Sequence, residues 1–79
     1  MTILIPALCR AGRALVDWTQ EELAIEAGVC RSTVREFENG NHDLQRAKAD
    51  AIVEAFRQAG VEFLASDSQG PGVRLKLKT

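Results

Sequence analysis

The side chains with the clearest binding chemistry in this sequence are four polar residues between positions 31 and 36. They are Arg31, Ser32, Arg35 and Glu36. Their spacing places them on one face of a helix. Arginine presents a planar fork of donors that fits the O6 and N7 acceptors of guanine or the oxygens of a phosphate. The same residue types also make an ordinary solvated helix face, so the surrounding sequence must decide between the two interpretations.

Two short helices joined by a tight turn are predicted around these side chains. Thr19 and Glu22 have the spacing of a capping box, which begins a helix, and Gly28 can end it in the left-handed conformation. Beyond the turn, Val34 and Phe37 form the apolar side of a second helix whose other side is polar. Two helices joined by a glycine-containing turn form a helix-turn-helix unit, whose second helix can enter the major groove of DNA.

The apolar pattern of the whole chain predicts a mainly α fold, with four helices followed by a C-terminal β-hairpin. The helices are expected over about 6–16, 20–27, 31–38 and 45–59. Leu15 of the first predicted helix and Ala47 of the fourth are expected to lie in the core between the helices. The segment 73–78 alternates apolar and basic residues, as a strand with one buried face does. The chain is therefore divided into a helical domain over 1–60 and a hairpin over 61–79.

The predicted hairpin needs a surface to pack on, because an isolated two-stranded hairpin is only marginally stable in water. It can pack on its own helices or pair edge to edge with a second copy of the chain. We favour the second copy, since a dimer places two reading helices about 34 Å apart on DNA. The expected dimerisation residues are Val61, Phe63, Val73, Leu75 and Leu77.

The order of these motifs resembles the lambda-repressor-like helix-turn-helix family, which includes phage repressors, Cro proteins and XRE-type bacterial regulators. The resemblance rests on Trp18-Thr-Gln-Glu-Glu-Leu-Ala24, Ala27-Gly-Val29, Ser32-Thr-Val34 and Phe37-Glu-Asn-Gly40. It holds in register over about residues 6 to 60. It implies a four-helix DNA-binding domain acting as a cytoplasmic transcriptional regulator. The expected partner is double-stranded DNA, bound by a homodimer at a short inverted repeat.

The resemblance also assigns contact residues by position. The expected base-reading residues are Arg31, Ser32 and Arg35, with Glu36 as a fourth. The expected phosphate contacts are Gln20, Thr33, Asn39, Gly40 and Arg46, with the backbone N–H groups of Asn39 and Gly40 taking part. On residue type alone, Gln20 is also an ordinary polar residue of a first helical turn, and Ser32 can bind phosphate instead of a base.

Two structural contacts are expected in the first helix. The resemblance implies a largely buried ion pair between Arg13 and Glu38, which would tie this helix to the end of the reading helix. The alternative is an exposed and unpaired Arg13. Gly12 is costly inside a helix unless another backbone comes close, so a tight helix crossing is expected there.

Two positions depart from the family pattern. Cys30 stands where serine or threonine usually caps the reading helix, and its thiol is a weak acceptor. The loop over 41–44 lacks the usual basic residues, and Asp43 would repel phosphate unless it caps the next helix. The reading helix is therefore expected to begin without a side-chain cap.

The overall charge favours a rival interpretation. The chain has a net charge of −1, whereas many nucleic-acid binders are basic. Four of its acidic residues gather in the first half of the motif, whereas four basic residues lie in the second half. The acidic residues are Asp17, Glu21, Glu22 and Glu26, and the basic residues are Arg31, Arg35, Arg46 and Lys48. The rival is a protein-interaction module of the same fold, similar to an anti-activator or antitoxin, that binds a protein partner through this acidic surface.

An enzyme is the least expected class. No nucleophile, base and orienting group occur together in the sequence, and His42 has no evident catalytic or metal-binding partners. Cys9 and Cys30 lack the spacing of metal ligands and are expected as free thiols. No cofactor and no metal are expected. No stretch resembles a membrane span, so a membrane partner is not expected.

Overall fold

A computed structural model describes residues 4–64 and 69–76 of the chain. Four helices precede a two-stranded antiparallel hairpin, which confirms the predicted mainly α fold with a hairpin. The elements are α1 (Pro6–Val16), α2 (Gln20–Ala27), α3 (Arg31–Glu38), α4 (Arg46–Gln58), β1 (Val61–Leu64) and β2 (Gly72–Leu75). The fourth helix is one residue shorter at each end than predicted.

The core is built around Phe56 of α4, which is fully buried. Its ring stacks on Trp18, with 5.7 Å between ring centroids, and meets the edge of Phe63 at 5.6 Å. A Cβ built on Gly12 would lie 3.1 Å from two atoms of the same ring. The atoms nearest to Gly12 belong to the Phe56 side chain and not to another backbone, so the predicted tight helix crossing is wrong at this position. The main contacts of α1 are with α3 and the hairpin.

Two predicted core residues are exposed. Leu15 is 39% exposed and Ala47 is also exposed, whereas Cys9 and Ile52 are fully buried. At about 100° per residue, Leu15 lies about 120° around α1 from Cys9, and Ala47 lies about 140° around α4 from Ile52. Both residues sit at the edge of an apolar stripe that is narrower than the sequence pattern indicates.

The hairpin packs on the helices of its own chain. Its register pairs Val61 with Leu75 and Phe63 with Val73, and it contacts α1 and α4. Val61 is 1% exposed and Phe63 contacts the core ring, so the predicted dimer role of Val61 is corrected to a core role. Leu75 remains 49% exposed. Leu77 lies outside the described residues.

Candidate nucleic-acid interface

Local hydrogen bonds fix both ends of α2. The backbone N–H of Glu22 donates to Thr19 Oγ1 at 3.0 Å, and the N–H of Thr19 donates to the Glu22 carboxylate at 3.0 Å. At the other end Gly28 has a φ of 71°, and the N–H of Val29 donates to the carbonyl of Ala24 at 3.0 Å. These contacts complete the predicted capping box and turn, and α3 begins three residues after the left-handed glycine.

The helix α3 separates an apolar inner face from a polar outer face. Val34 and Phe37 are buried in the core, which fixes the rotation of the helix. The four predicted base-reading residues therefore share the outer face. Arg31, Ser32 and Arg35 are exposed, and the side chain of Glu36 is 34% exposed.

A buried carboxylate holds the end of α3 against α1 and α2. The Glu38 side chain is 2% exposed, and it receives the Arg13 guanidinium through Nε at 2.8 Å and Nη2 at 2.7 Å. Gln20 Nε2 donates to the same carboxylate at 3.0 Å, and Arg10 Nη1 donates to the Glu38 backbone carbonyl at 2.6 Å. The ion pair expected between Arg13 and Glu38 is present. Together with Arg10 and Gln20 it connects α1, α2 and α3.

The environment of Glu38 keeps its carboxylate ionised. Burial opposes the charge, but hydrogen bonds from Arg13, Gln20 and the Cys9 thiol outweigh that cost, so the pKa of Glu38 lies below its ordinary value. The pKa of the Cys9 thiol is raised, mainly by burial and then by its hydrogen bond to Glu38. Both shifts favour an ionised Glu38 beside a neutral thiol.

The structure changes the expected role of Gln20. Its amide nitrogen is engaged with Glu38 inside the chain, so the side chain helps to position α2 against α3. An amide nitrogen carries two N–H groups, and one of them is used in this contact. A phosphate contact from Gln20 would therefore use the other amide N–H or the backbone N–H.

Two backbone groups predicted to contact phosphate are engaged inside the chain. The N–H of Asn39 donates to the Arg35 carbonyl at 3.0 Å, and the N–H of Gly40 donates to the Phe37 carbonyl at 2.9 Å. These bonds close the end of α3, where carbonyls lack partners in the helix itself. The predicted backbone phosphate contacts are therefore wrong for these two groups. Arg46 is exposed, as a phosphate contact requires.

Both α3 and α4 begin without a side-chain cap, and this was predicted for α3 only. Cys30 makes no side-chain hydrogen bond at the start of α3, as expected for a thiol. Asp43 does not cap α4, because the N-cap position belongs to Gln45, which also makes no side-chain cap. The capping role proposed for Asp43 is therefore wrong. Its carboxylate lies in the exposed loop before α4.

Several contacts of the outer face were missed by sequence reasoning. Arg31 lies 3.8 Å from a Glu21 carboxylate oxygen, and Arg35 lies 3.7 Å from a Glu36 oxygen. Asn41 Nδ2 donates to the other oxygen of Glu36 at 2.9 Å. The sequence signal for the last contact is a five-residue spacing across the end of a helix, which is too common to identify a pair.

A cleft of about 310 Å³ lies beside this outer face, between α3 and the segment that leads into α4. Ser32, Thr33 and Glu36 line one side, and His42 and Lys48 belong to the other. The lining combines the hydroxyl groups of Ser32 and Thr33 and the Lys48 ammonium with two carboxylates, those of Glu36 and Asp43. This mixture suits hydrogen bonding to a polar surface better than burial of an apolar ligand.

The chain matches no protein-family model and no curated protein. Among residues 4–64 and 69–76, no three histidine, cysteine, aspartate or glutamate side chains are grouped as a metal site requires. In the same part of the chain, no helix has the length and apolar character needed to cross a bilayer.

Proposed function

We propose that this chain is a sequence-specific DNA-binding transcriptional regulator of bacterial or phage type. In this proposal α3 enters the major groove and α2 lies across it. The observation that carries the proposal is the outer face of α3, where Arg31, Ser32 and Arg35 are exposed while the inner face is fixed in the core. A rigid helix that presents donors along one face has the form that base reading requires.

The arginines of α3 are held only weakly within the chain. Arg31 and Glu21 are 60% and 64% exposed, and Arg35 lies 3.7 Å from Glu36. Exposed ion pairs of this kind contribute about 0–1 kcal/mol, so DNA can replace them at small cost. The nearby carboxylates still repel phosphate. Binding is therefore expected to be modest in affinity and strongly dependent on salt.

A homodimer on a short inverted repeat completes the proposal. Two copies related by a two-fold axis would place two α3 helices about 34 Å apart, on successive turns of one face of the duplex. Leu75 and Leu64 remain 49% and 37% exposed on the hairpin and are available for the contact between copies. Regulation would be steric, in the cytoplasm, through occupation of a promoter or its flank.

A second candidate function is supported by the surface of α2. Ile25 is 70% exposed and lies among the exposed carboxylates of Glu21, Glu22 and Glu26. An apolar side chain within an acidic surface suits a basic protein partner. In this alternative the chain is an interaction module, and the arginines of α3 form a solvated face.

Selection of purified protein against random duplex DNA separates the two candidates. The selected sequences are then measured for affinity at several salt concentrations. A regulator should enrich an inverted repeat, and its log affinity should fall linearly with log salt at a slope of about −0.9 per phosphate contacted. The variant Arg31→Ala with Arg35→Ala serves as the control and should enrich nothing. Failure of the folded wild-type protein to enrich any sequence would favour the interaction module.

A further inference from the structure

Asn41 holds the carboxylate of Glu36 in a defined position on the outer face of α3. Its side-chain Nδ2 donates to Glu36 Oε2 at 2.9 Å, and its backbone N–H donates to the Glu36 carbonyl at 2.9 Å. The second bond places the Asn41 backbone at the end of the helix, and the first bond then favours one orientation of the carboxylate. Glu36 Oε1 lies 3.7 Å from Arg35 Nε and keeps most of its hydrogen-bonding capacity.

An ionised carboxylate on a DNA-reading face needs a donor from the DNA. Glutamate accepts hydrogen bonds and donates none, and a charged group that loses water without a new partner is costly. In the major groove guanine presents two acceptors, and thymine presents an acceptor and a methyl group. The amino groups of cytosine and adenine are the donors available there.

Cytosine fits a fixed carboxylate better than adenine does. Adenine presents its N7 acceptor beside its N6 amino group, so one carboxylate oxygen would face a lone pair while the other accepts the bond. Cytosine presents its N4 amino group without a neighbouring acceptor on the same base. The Asn41 hydrogen bond must break before the carboxylate can turn away from N7, so this bond increases the penalty for adenine.

We propose that Glu36 selects cytosine at one position of each half-site and that Asn41 is the positioning residue for its carboxylate. This inference rests on the proposed function, because it requires α3 to read DNA. It goes further by assigning the base that one side chain reads and by giving a specificity role to Asn41. The discrimination arises largely from rejection, since a base without the amino donor leaves Glu36 Oε1, the oxygen that Asn41 does not bind, desolvated and without a donor from the DNA.

The experiment is selection from random duplex DNA by the wild-type protein, Glu36→Gln and Asn41→Ala. The wild-type protein should prefer cytosine at one position by about 5- to 150-fold, the range of a good side-chain–base pair. Glu36→Gln should change that position to adenine, because glutamine matches N6 and N7 of adenine. Asn41→Ala should reduce the cytosine preference several-fold and leave the other positions unchanged. Its backbone N–H remains, so the fold should persist with an unchanged melting midpoint.

Glu54→Gln on α4 is the matched control for the change of charge. Glu54 is paired with Arg57 and lies on a different helix, so this variant should raise affinity slightly for all sequences without changing base preference. The same uniform result for Glu36→Gln would overturn the proposed reading by Glu36. An unchanged cytosine preference in Asn41→Ala would overturn the positioning role.

A second measurement uses only the wild-type protein, so it stands even if a variant misfolds. Methylating the N4 amino group of the selected cytosine keeps its hydrogen bond to guanine but removes the N–H that faces the major groove, so it should weaken binding by a factor similar to the loss caused by the wrong base. Unchanged binding to that duplex would overturn the inference while the proposed function stands. If the wild-type protein enriches no sequence at all, the proposed function fails and the inference fails with it.

Discussion

Arg13 and Glu38 form a bidentate ion pair between α1 and the end of α3, with nitrogen–oxygen distances of 2.8 and 2.7 Å. A carboxylate is unfavourable at the C-terminal end of a helix, where the helix dipole is negative. The arginine offsets this effect, and Arg10 adds a donor to the Glu38 carbonyl. The pair therefore fixes the end of α3 and, through the helix, the direction of its outer face.

Glu38→Gln is expected to lower the free energy of unfolding substantially. The substitution keeps the shape of the side chain but leaves the Arg13 guanidinium, which is 19% exposed, without its counter-charge. Breaking a buried pair costs about 3–5 kcal/mol, and partial exposure of Arg13 places the loss toward the lower end. Urea unfolding followed by circular dichroism measures the change.

Glu54→Gln is the control for this prediction. Glu54 also pairs with an arginine, Arg57, but both side chains are largely exposed. Exposed pairs contribute little, so this variant should unfold near the wild-type urea midpoint. An unchanged midpoint for Glu38→Gln would show that the buried pair does not stabilise the fold.

The fold should lose stability in acid through protonation of Glu38. The pKa of Glu38 is below its ordinary value of 4.5 in the folded chain, so its stabilising contribution is present above about pH 4.5 and is lost as the pH falls through the folded pKa. Melting midpoints of the wild type and Glu38→Gln should therefore converge below about pH 4.5. The comparison is needed because the pKa values of Glu54 and Glu62 are also lowered, by Arg57 and Arg74.

At alkaline pH, the melting midpoint should report on the ionisation of the Cys9 thiol. Burial raises the pKa of the Cys9 thiol in the folded chain above its ordinary value of 9.0. The stabilisation that the neutral thiol gives is therefore fully present below pH 9.0 and is lost progressively as the pH rises above that value. Cys9→Ala should lose this alkaline decline and keep the acid one. If the melting midpoints of the wild type, Glu38→Gln and Cys9→Ala changed with pH in parallel, the acid loss would not come from Glu38 and the alkaline loss would not come from Cys9.

The helices could be predicted from local signals, whereas their contacts could not. The capping box at Thr19 and the left-handed Gly28 act over a few residues, so the sequence displays them directly. Arg13 and Glu38 lie 25 positions apart and were paired only through the family resemblance. Nothing in the residues alone relates them, because the pairing depends on how α1 crosses α3.

The errors at the candidate site have related physical causes. Sequence pattern shows that a hairpin has an apolar face, but it does not show whether the helices or a second copy cover Val61. It also does not show that the N–H groups of Asn39 and Gly40 are used to close α3. The outer face of α3 was easier to predict, because Val34 and Phe37 fix its orientation within eight residues.

Gly12→Ala is expected to destabilise the fold despite the better helix propensity of alanine. The new Cβ would lie 3.1 Å from the Phe56 ring, which is buried between Trp18 and Phe63 and cannot move freely. Overpacking costs about 1–3 kcal/mol and the propensity gain offsets about 1, so a net loss of about 1 kcal/mol is expected. Differential scanning calorimetry measures it.

Gly72→Ala is the matched control for the change at Gly12. Its Cβ would meet Leu64 at 3.5 Å, an ordinary contact at an accessible position. This variant should melt close to the wild type. A stabilised Gly12→Ala would show that the Phe56 ring adjusts and that its contact with Gly12 is less constrained than the distances indicate.

Arg35→Ala and Arg46→Ala should weaken DNA binding in different ways. Arg35 lies on the outer face of α3, so its loss should relax base preference at one position by about 1–3 kcal/mol. Arg46 begins α4 and its side chain is 78% exposed. Its loss should therefore weaken binding to all DNA sequences alike and reduce the slope of log affinity against log salt by about 1. Fluorescence anisotropy with selected and scrambled duplexes separates the two patterns. A uniform loss for Arg35→Ala would make Arg35 a phosphate contact.

Leu75→Glu should separate the proposed dimer without unfolding the chain. Leu75 is 49% exposed on β2, so a carboxylate there remains solvated in the monomer but is unfavourable in an apolar interface. Removal of the whole hairpin is a poorer test, because it also removes Val61 and Phe63 from the core. Light scattering across a concentration series should show monomers for Leu75→Glu and dimers for Ile25→Glu, which adds the same charge on α2. A dimeric Leu75→Glu would show that Leu75 lies outside the interface between the copies.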